Sequence, residues 1–212
     1  MPSAPTLLAF ALASFTLLII PGPAVLYILN RSVSDGRTVG LAAVAGLELG
    51  NLVHALAAAV GLSAVLATSA VAFNAVKWLG AGYLIYVGAR TLMRKPAEIS
   101  SEGTNITPRR AFAQGIVVNV LNPKVALFFL SFLPQFIEPS SGHAGRQALI
   151  LGIEFVLIGC VTDTVYSLLA SSLRVVLLRG KALPFVQRYV AGTVFIVLGL
   201  VAATATAGKA SS

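Results

Sequence analysis

The chain has 212 residues, of which 57% are hydrophobic and only 10% charged, and its formal net charge is +8. This composition is too apolar for an ordinary soluble domain and predicts an integral membrane protein. The positive charge does not indicate nucleic-acid binding, because the basic residues lie in short loops between apolar runs and are not interleaved with exposed aromatic residues.

The apolar residues form long, nearly continuous runs, which predict membrane-spanning helices rather than the short alternating strands of a barrel. The predicted fold class is all-α, with one membrane domain over residues 1–212. The first run has no basic leader and no convincing cleavage site, so we expect it to be retained. Six candidate spans follow from the pattern: Leu7–Leu29, Val39–Leu66, Val71–Met93, Ala111–Leu133, Gln147–Leu173 and Phe185–Ala207.

A polar linker over about residues 95–109 separates two halves of three spans each, about 6–94 and about 110–207. Because three is an odd number, the two halves must cross the membrane in opposite directions, which predicts an inverted repeat. Eleven lysine and arginine residues fall in the loops after spans one, three and five, against Arg146 and Lys209 on the opposite side. Basic residues concentrate in cytoplasmic loops, so both termini are predicted to lie outside.

Two spans are interrupted at corresponding places. The first contains Pro21-Gly22-Pro23, and the fourth contains Asn122-Pro123-Lys124. Proline removes a backbone donor and displaces the carbonyl four residues earlier, here that of Asn119, and a lysine at the bilayer centre costs about 3 kcal/mol on insertion scales. One interrupted segment in each half is the pattern of a transporter whose substrate site lies at the membrane midplane.

The second span carries Glu48, Asn51 and His54 at steps of three residues. These side chains cover about 120° of one helix face and predict a polar stripe directed toward a cavity. The alternative interpretation is an interhelical hydrogen-bond seam without a transport role.

Span five contains two acids, Glu154 and Asp163, whose spacing places them about 180° apart around a helix. Asp163 is nearer the middle and is the better site candidate. Glu154 lies toward the outer end, either in an exit path or solvated. Cys160 is the only cysteine and is predicted to be a small core residue.

Four segments in order along the chain carry a family resemblance: Pro21-Gly22-Pro23, the stretch from Gly36-Arg37 to His54, the Gly-x-Gly-Tyr within Trp78–Tyr86, and Gly115 through Asn122-Pro123-Lys124 to Phe136. Together they resemble the LysE/RhtB family of bacterial amino-acid exporters, over nearly the whole chain. Family members often carry an acid at the position of Asn51, which here is an amide, with the acid Glu48 one turn earlier.

What the resemblance implies is proton-coupled efflux of amino acids or their derivatives through the bacterial cytoplasmic membrane, with a homodimer left open. In this hypothesis Lys124 and freed backbone amides bind the substrate carboxylate, Asp163 or Glu48 binds its ammonium, and His54 carries protons. A purely structural pair of Lys124 with Asp163 is the alternative. The candidate translocation residues are Pro21, Gly22, Pro23, Glu48, Asn51, His54, Asn119, Asn122, Pro123, Lys124 and Asp163.

Two other function classes are weighed against export of amino acids. A divalent-cation or heavy-metal exporter would use Glu48, His54 and Asp163 as ligands, although the single cysteine and the lack of a dense acid cluster count against it. An enzyme is not expected, because the sequence has no His-Glu-x-x-His motif, no Gly-x-Ser-x-Gly motif and no paired catalytic aspartates. No cofactor is expected.

Overall fold

The structure is a computed structural model and describes residues 1–68, 106–138 and 143–172, with isolated positions between 78 and 93 and between 193 and 200. Every regular element in these residues is helical and none is a strand, which confirms the all-α prediction for this part of the chain. The predicted third and sixth spans lie outside the described residues apart from the isolated positions, as does most of the predicted linker.

The described ranges contain two long unbroken helices and two bent pairs. Two helices are long and apolar enough to cross a membrane alone, and four spans result if each bent pair is counted as one. These four correspond to predicted spans one, two, four and five. The helices are α1 (Ala4–Ile19), α2 (Pro23–Ser34), α3 (Arg37–Thr68), α4 (Pro108–Val120), α5 (Pro123–Leu127) and α6 (Ala144–Ser172), and α5 continues into a π turn (Phe128–Phe132) and a 3-10 turn (Leu133–Phe136).

Both breaks fall at the predicted prolines. The bend between α1 and α2 is 54°, and that between α4 and the segment from Pro123 to Phe136 is 42°. Pro23 and Pro123 each open the second half-helix, preceded by Gly22 and Asn122 as N-caps. A proline at this position cannot continue the preceding helix but fits the start of a new one, so the sequence both ends and restarts the helix there.

Glycines bring α3 and α4 into backbone contact. A Cβ on Gly46 would overlap the backbone of Phe112, and one on Gly115 would lie 2.7 Å from the carbonyl oxygen of Ala43. Small residues at such points allow helices in a membrane to approach closely. The two helices are also close at Gly50 of α3, where a Cβ would lie 2.7 Å from the Cβ of Asn119 of α4. The polar face of α3 is thereby held against the end of α4.

The main hydrophobic core is built from phenylalanines of α1, α6 and the segment after α5. Within this aromatic cluster, the ring centroids of Phe10 and Phe128 are 5.6 Å apart and those of Phe128 and Phe155 are 5.2 Å apart. Tilted and edge-on contacts of this kind add stability beyond the area they bury. The cluster comprises Phe10, Phe128, Phe129, Phe132, Phe136 and Phe155.

Cys160 is exposed, so its prediction as a core residue is wrong. It lies on α6 between Leu157 and Val161, which are 61% and 66% exposed. An apolar run in a membrane protein has one face toward the protein and another toward lipid, and both faces have the same apolar composition. The sequence alone therefore did not distinguish the two faces at this position.

Candidate functional site

The break in span one leaves two carbonyl groups that other helices satisfy. Pro23 has no N–H to offer the carbonyl of Ile19, and the Tyr166 hydroxyl of α6 donates to it instead. The next carbonyl, that of Ile20, accepts a 2.7 Å hydrogen bond from Nζ of Lys124. The lysine reaches it by passing over Gly22, where a Cβ would lie only 3.1 Å from the lysine Cδ.

The break in span four is satisfied in a similar way. Pro123 cannot donate to the carbonyl of Asn119, which accepts instead from Nε2 of His54 at 3.0 Å and from the backbone N–H of Asn122 at 3.0 Å. The displacement of this carbonyl from its helical partner was predicted and is confirmed. Since a carbonyl only accepts, Nε2 of His54 carries the proton in this contact. The imidazole also stacks on Phe129, at 6.2 Å between centroids.

Each break is therefore capped by side chains from the other half of the chain. His54 belongs to the first half and caps the break in span four, whereas Lys124 and Tyr166 belong to the second half and cap the break in span one. A bond of this kind is easier to exchange than a helical backbone bond, because one side-chain rotation removes it. Rotation of His54, Lys124 or Tyr166 would therefore free a backbone carbonyl at a break for another donor.

A chain of amides joins the break in span four to α3. Nδ2 of Asn119 donates to Oδ1 of Asn51 at 2.6 Å and to the carbonyl of Leu47 at 2.6 Å, and Nδ2 of Asn122 donates to Oδ1 of Asn119 at 3.2 Å. Oδ1 of Asn122 accepts from the backbone N–H of Lys124. This amide chain (Asn51, Asn119, Asn122) is an interhelical seam, the alternative considered for the α3 stripe, and it also positions the residues at its two ends.

At one end of the amide chain lie two buried carboxyl groups. Nδ2 of Asn51 donates to Oε2 of Glu48 at 2.9 Å, and the Glu48 carboxyl is within hydrogen-bonding reach of that of Asp163. Glu48 is 6% exposed and Asp163 is 3% exposed, yet Oε1 of Glu48 and Oδ1 of Asp163 have no hydrogen-bond partner. We call Glu48 and Asp163 the acid pair.

Gly159 makes the acid pair possible. A Cβ at this position of α6 would lie 2.7 Å from both carboxyl oxygens of Glu48, so any larger residue would force the Glu48 carboxyl to move. Sequence reasoning missed this glycine, although a glycine one turn before the buried Asp163 was a usable signal for close approach of another side chain. It also missed that Tyr166 caps the first break.

Lys124 and Asp163 do not form the structural ion pair that the sequence left open. An ion pair does form between Arg31 and Asp35, at the end of α2, where the charged atoms are 2.8 Å apart. Lys124 is 5% exposed and bonds to a carbonyl, and it interacts with Asp163 only at longer range. A buried cation and a buried acid pair are thus close neighbours without direct contact.

Most of the predicted site residues are brought together. Three of them are prolines, whose side chains have no polar group: Pro21 is buried at the first break, whereas Pro23 and Pro123 are exposed at the starts of their half-helices. Glu154 is half-buried and lies on α6 away from the acid pair. The side chains that converge are Glu48, Asn51, His54, Asn119, Asn122, Lys124 and Asp163, around the backbone of Gly22.

Comparison with known proteins gives one family and several relatives. The family model for LysE type translocators matches residues 15–206. The homoserine/homoserine lactone efflux protein of Salmonella typhimurium is 30% identical over 198 residues, which is 93% of this chain and 95% of that protein. A Vibrio cholerae protein named only as an uncharacterized membrane protein is 29% identical over 94% of this chain and 97% of its own length. No solved structure matches the chain.

Proposed function

The chain belongs to the LysE type translocator family of membrane transport proteins, and we propose that it exports amino acids or amino-acid derivatives from the bacterial cytoplasm in exchange for protons. The observation that carries the proposal is the arrangement of charge at the breaks. Lys124 and the acid pair are buried, close and unpaired with each other. A zwitterion placed between them would offer its carboxylate to Lys124 and its ammonium to the acid pair. A direct ion pair between Lys124 and Asp163 would leave neither charge available to a substrate.

The substrate carboxylate belongs at the start of α2. Gly22 gives this half-helix no side-chain cap, so the first-turn amides that follow Pro23 are free to donate, and Lys124 lies directly over Gly22. A helix N-terminus with a neighbouring cation favours a carboxylate. The start of α5 is the weaker choice for the carboxylate. There the backbone N–H of Lys124, in the first turn of the helix, already donates to Oδ1 of Asn122.

The substrate ammonium belongs at the acid pair. Oε1 of Glu48 and Oδ1 of Asp163 are buried acceptors without donors, and leaving such groups unsatisfied costs about 1–3 kcal/mol each. An ammonium group supplies three donors and a positive charge. The nearby side-chain nitrogens of Asn51, Asn119 and Lys124 already donate to protein oxygens.

The same acid pair supplies the coupling to protons. Two carboxyl groups in contact repel each other when both are ionised, so without a substrate a proton held between them is favoured. An arriving ammonium replaces that proton, and its departure requires a proton to return. Since proton and ammonium exclude each other at one site, outward movement of substrate is tied to inward movement of protons.

We place this site in a single six-span membrane domain built from two inverted three-span repeats, with both termini outside the inner membrane. The basic residues of the loops support this orientation. A fusion after Ser212 to a reporter that is active only in the cytoplasm should therefore be silent, and a periplasmic reporter at the same point should be active. The opposite pattern would show that the number or the direction of the spans is wrong. A homodimer stays a prediction.

Efflux from loaded vesicles that contain the purified protein tests the function. In a panel of amino acids and their derivatives that includes homoserine and homoserine lactone, we expect at least one compound to leave these vesicles faster than it leaves loaded vesicles without the protein. Release should be faster still when the receiving side is acidic. The matched control is 4-hydroxybutyrate, which is homoserine without its amino group and should not be released. Release of divalent cations but of no amino acid would instead favour the metal-exporter alternative.

A further inference from the structure

Two buried hydroxyl groups outside the site have no partner. Oγ of Ser14 on α1 and Oγ of Ser131 in the π turn belong to residues with 0% exposure, and neither makes a hydrogen bond. Other helical hydroxyls have partners: Thr16 bonds back to the carbonyl of Leu12, and Thr162 to that of Ile158. Burying a hydroxyl without a partner is unfavourable, so these two positions need an explanation.

The two serines occupy matching places in the two interrupted spans. Ser14 precedes Pro21 by about two helical turns, and Ser131 follows Pro123 by about two turns. Because the two spans run in opposite directions in the proposed topology, both serines lie on the outer side of the breaks, at a similar depth. Phe10 lies one turn before Ser14, and Phe132 follows Ser131 directly, so both serines border the aromatic cluster.

We propose that Ser14 and Ser131 line the outer half of the translocation path, which the aromatic cluster closes in this structure. The inference rests on the proposed function, because it needs a substrate that leaves the midplane site toward the outside. That substrate is small and polar, and its hydrogen-bonding groups lose water on entering an apolar passage. Hydroxyls with free donor and acceptor capacity replace part of that water when the phenylalanines separate.

Alanine substitutions separate a path role from a packing role. We expect Ser14→Ala and Ser131→Ala each to lower the efflux rate by about fivefold, the size expected for one lost hydrogen bond, while the melting temperature stays the same or rises. The matched control is Ser32→Ala. Ser32 is equally buried but bonds to Ser167 at 2.9 Å, so its loss should lower the melting temperature and leave efflux per folded molecule unchanged. Unchanged efflux in both test variants would overturn the proposal.

Accessibility to a thiol reagent gives a second, independent measurement. In a Cys160→Ala background, Ser14→Cys and Ser131→Cys should react several-fold faster with a membrane-impermeant reagent outside intact cells than Phe15→Cys and Leu130→Cys. Phe15 and Leu130 adjoin the two serines in sequence, but their side chains are 47% and 51% exposed, on the helix faces that point away from the protein interior. Equal reaction of the two sets would overturn the path. Failure of the Cys160→Ala parent to release any amino acid would instead overturn the proposed function.

Discussion

Asp163→Asn should reduce efflux by about thirtyfold or more while leaving the protein folded. The change removes both the negative charge and the proton carrier, and losing a buried charged contact to the substrate ammonium costs about 2–5 kcal/mol. Asparagine has nearly the same shape, and its amide can donate to the unpartnered oxygen of Glu48. We therefore expect the melting temperature of the variant to match or exceed that of the wild type, measured beside vesicle efflux.

Two further variants complete this test. Glu154→Gln removes an acid from the same helix away from the acid pair, and should keep wild-type efflux. The double variant Lys124→Ala with Asp163→Asn should remain inactive, because Lys124 bonds to the carbonyl of Ile20 rather than to Asp163. Recovery of both folding and efflux in the double variant would mean that the two charges serve only to hold spans four and five together.

Pro123→Ala should have opposite effects on stability and on transport. Alanine brings a backbone N–H that can donate to the carbonyl of Asn119, which would close the helix across the break and displace His54. One added hydrogen bond stabilises by about 1 kcal/mol, so the melting temperature should stay the same or rise. Efflux should fall by about tenfold or more, because a continuous helix no longer bends Lys124 toward the first break.

The paired change Pro21→Ala with Pro23→Ala should behave alike, since the new N–H at position 23 can donate to the carbonyl of Ile19, which now accepts from Tyr166 of α6. A closed helix would also bring the N–H of Ala24 to the carbonyl of Ile20, which now accepts from Lys124. Pro108→Ala is the matched control, because Pro108 also stands at the first turn of a helix but lies away from both breaks. Pro108→Ala should change neither the melting temperature nor the efflux rate. A bend needed only for packing would give a different result, with stability and efflux falling together when the helix straightens.

The breaks could be predicted from sequence because their cause is local. A proline ends one helix and starts the next whatever surrounds it, and the loss of the Asn119 carbonyl's partner follows from the same geometry. The polar stripe of α3 followed in the same way from helical periodicity. These predictions needed no knowledge of neighbouring helices, and the described residues confirm both breaks where they were expected.

The partners across the breaks could not be predicted, because they depend on how the helices pack. His54 reaches Asn119 only because glycines bring α3 and α4 into backbone contact, and Glu48 reaches Asp163 only because Gly159 leaves space on α6. Many arrangements of the same spans satisfy the same apolar pattern. The choice among them is made by close contacts between residues far apart in sequence.

Binding of homoserine to the purified protein, measured by calorimetry in buffers of different ionisation heat, tests the central claim most directly. If ammonium and proton exclude each other at Glu48 and Asp163, the wild type should release protons when it binds homoserine. The measured heat of binding should then vary with the ionisation heat of the buffer. Asp163→Asn should bind weakly and release none. Equal binding by both proteins, or binding without proton release by the wild type, would contradict the account.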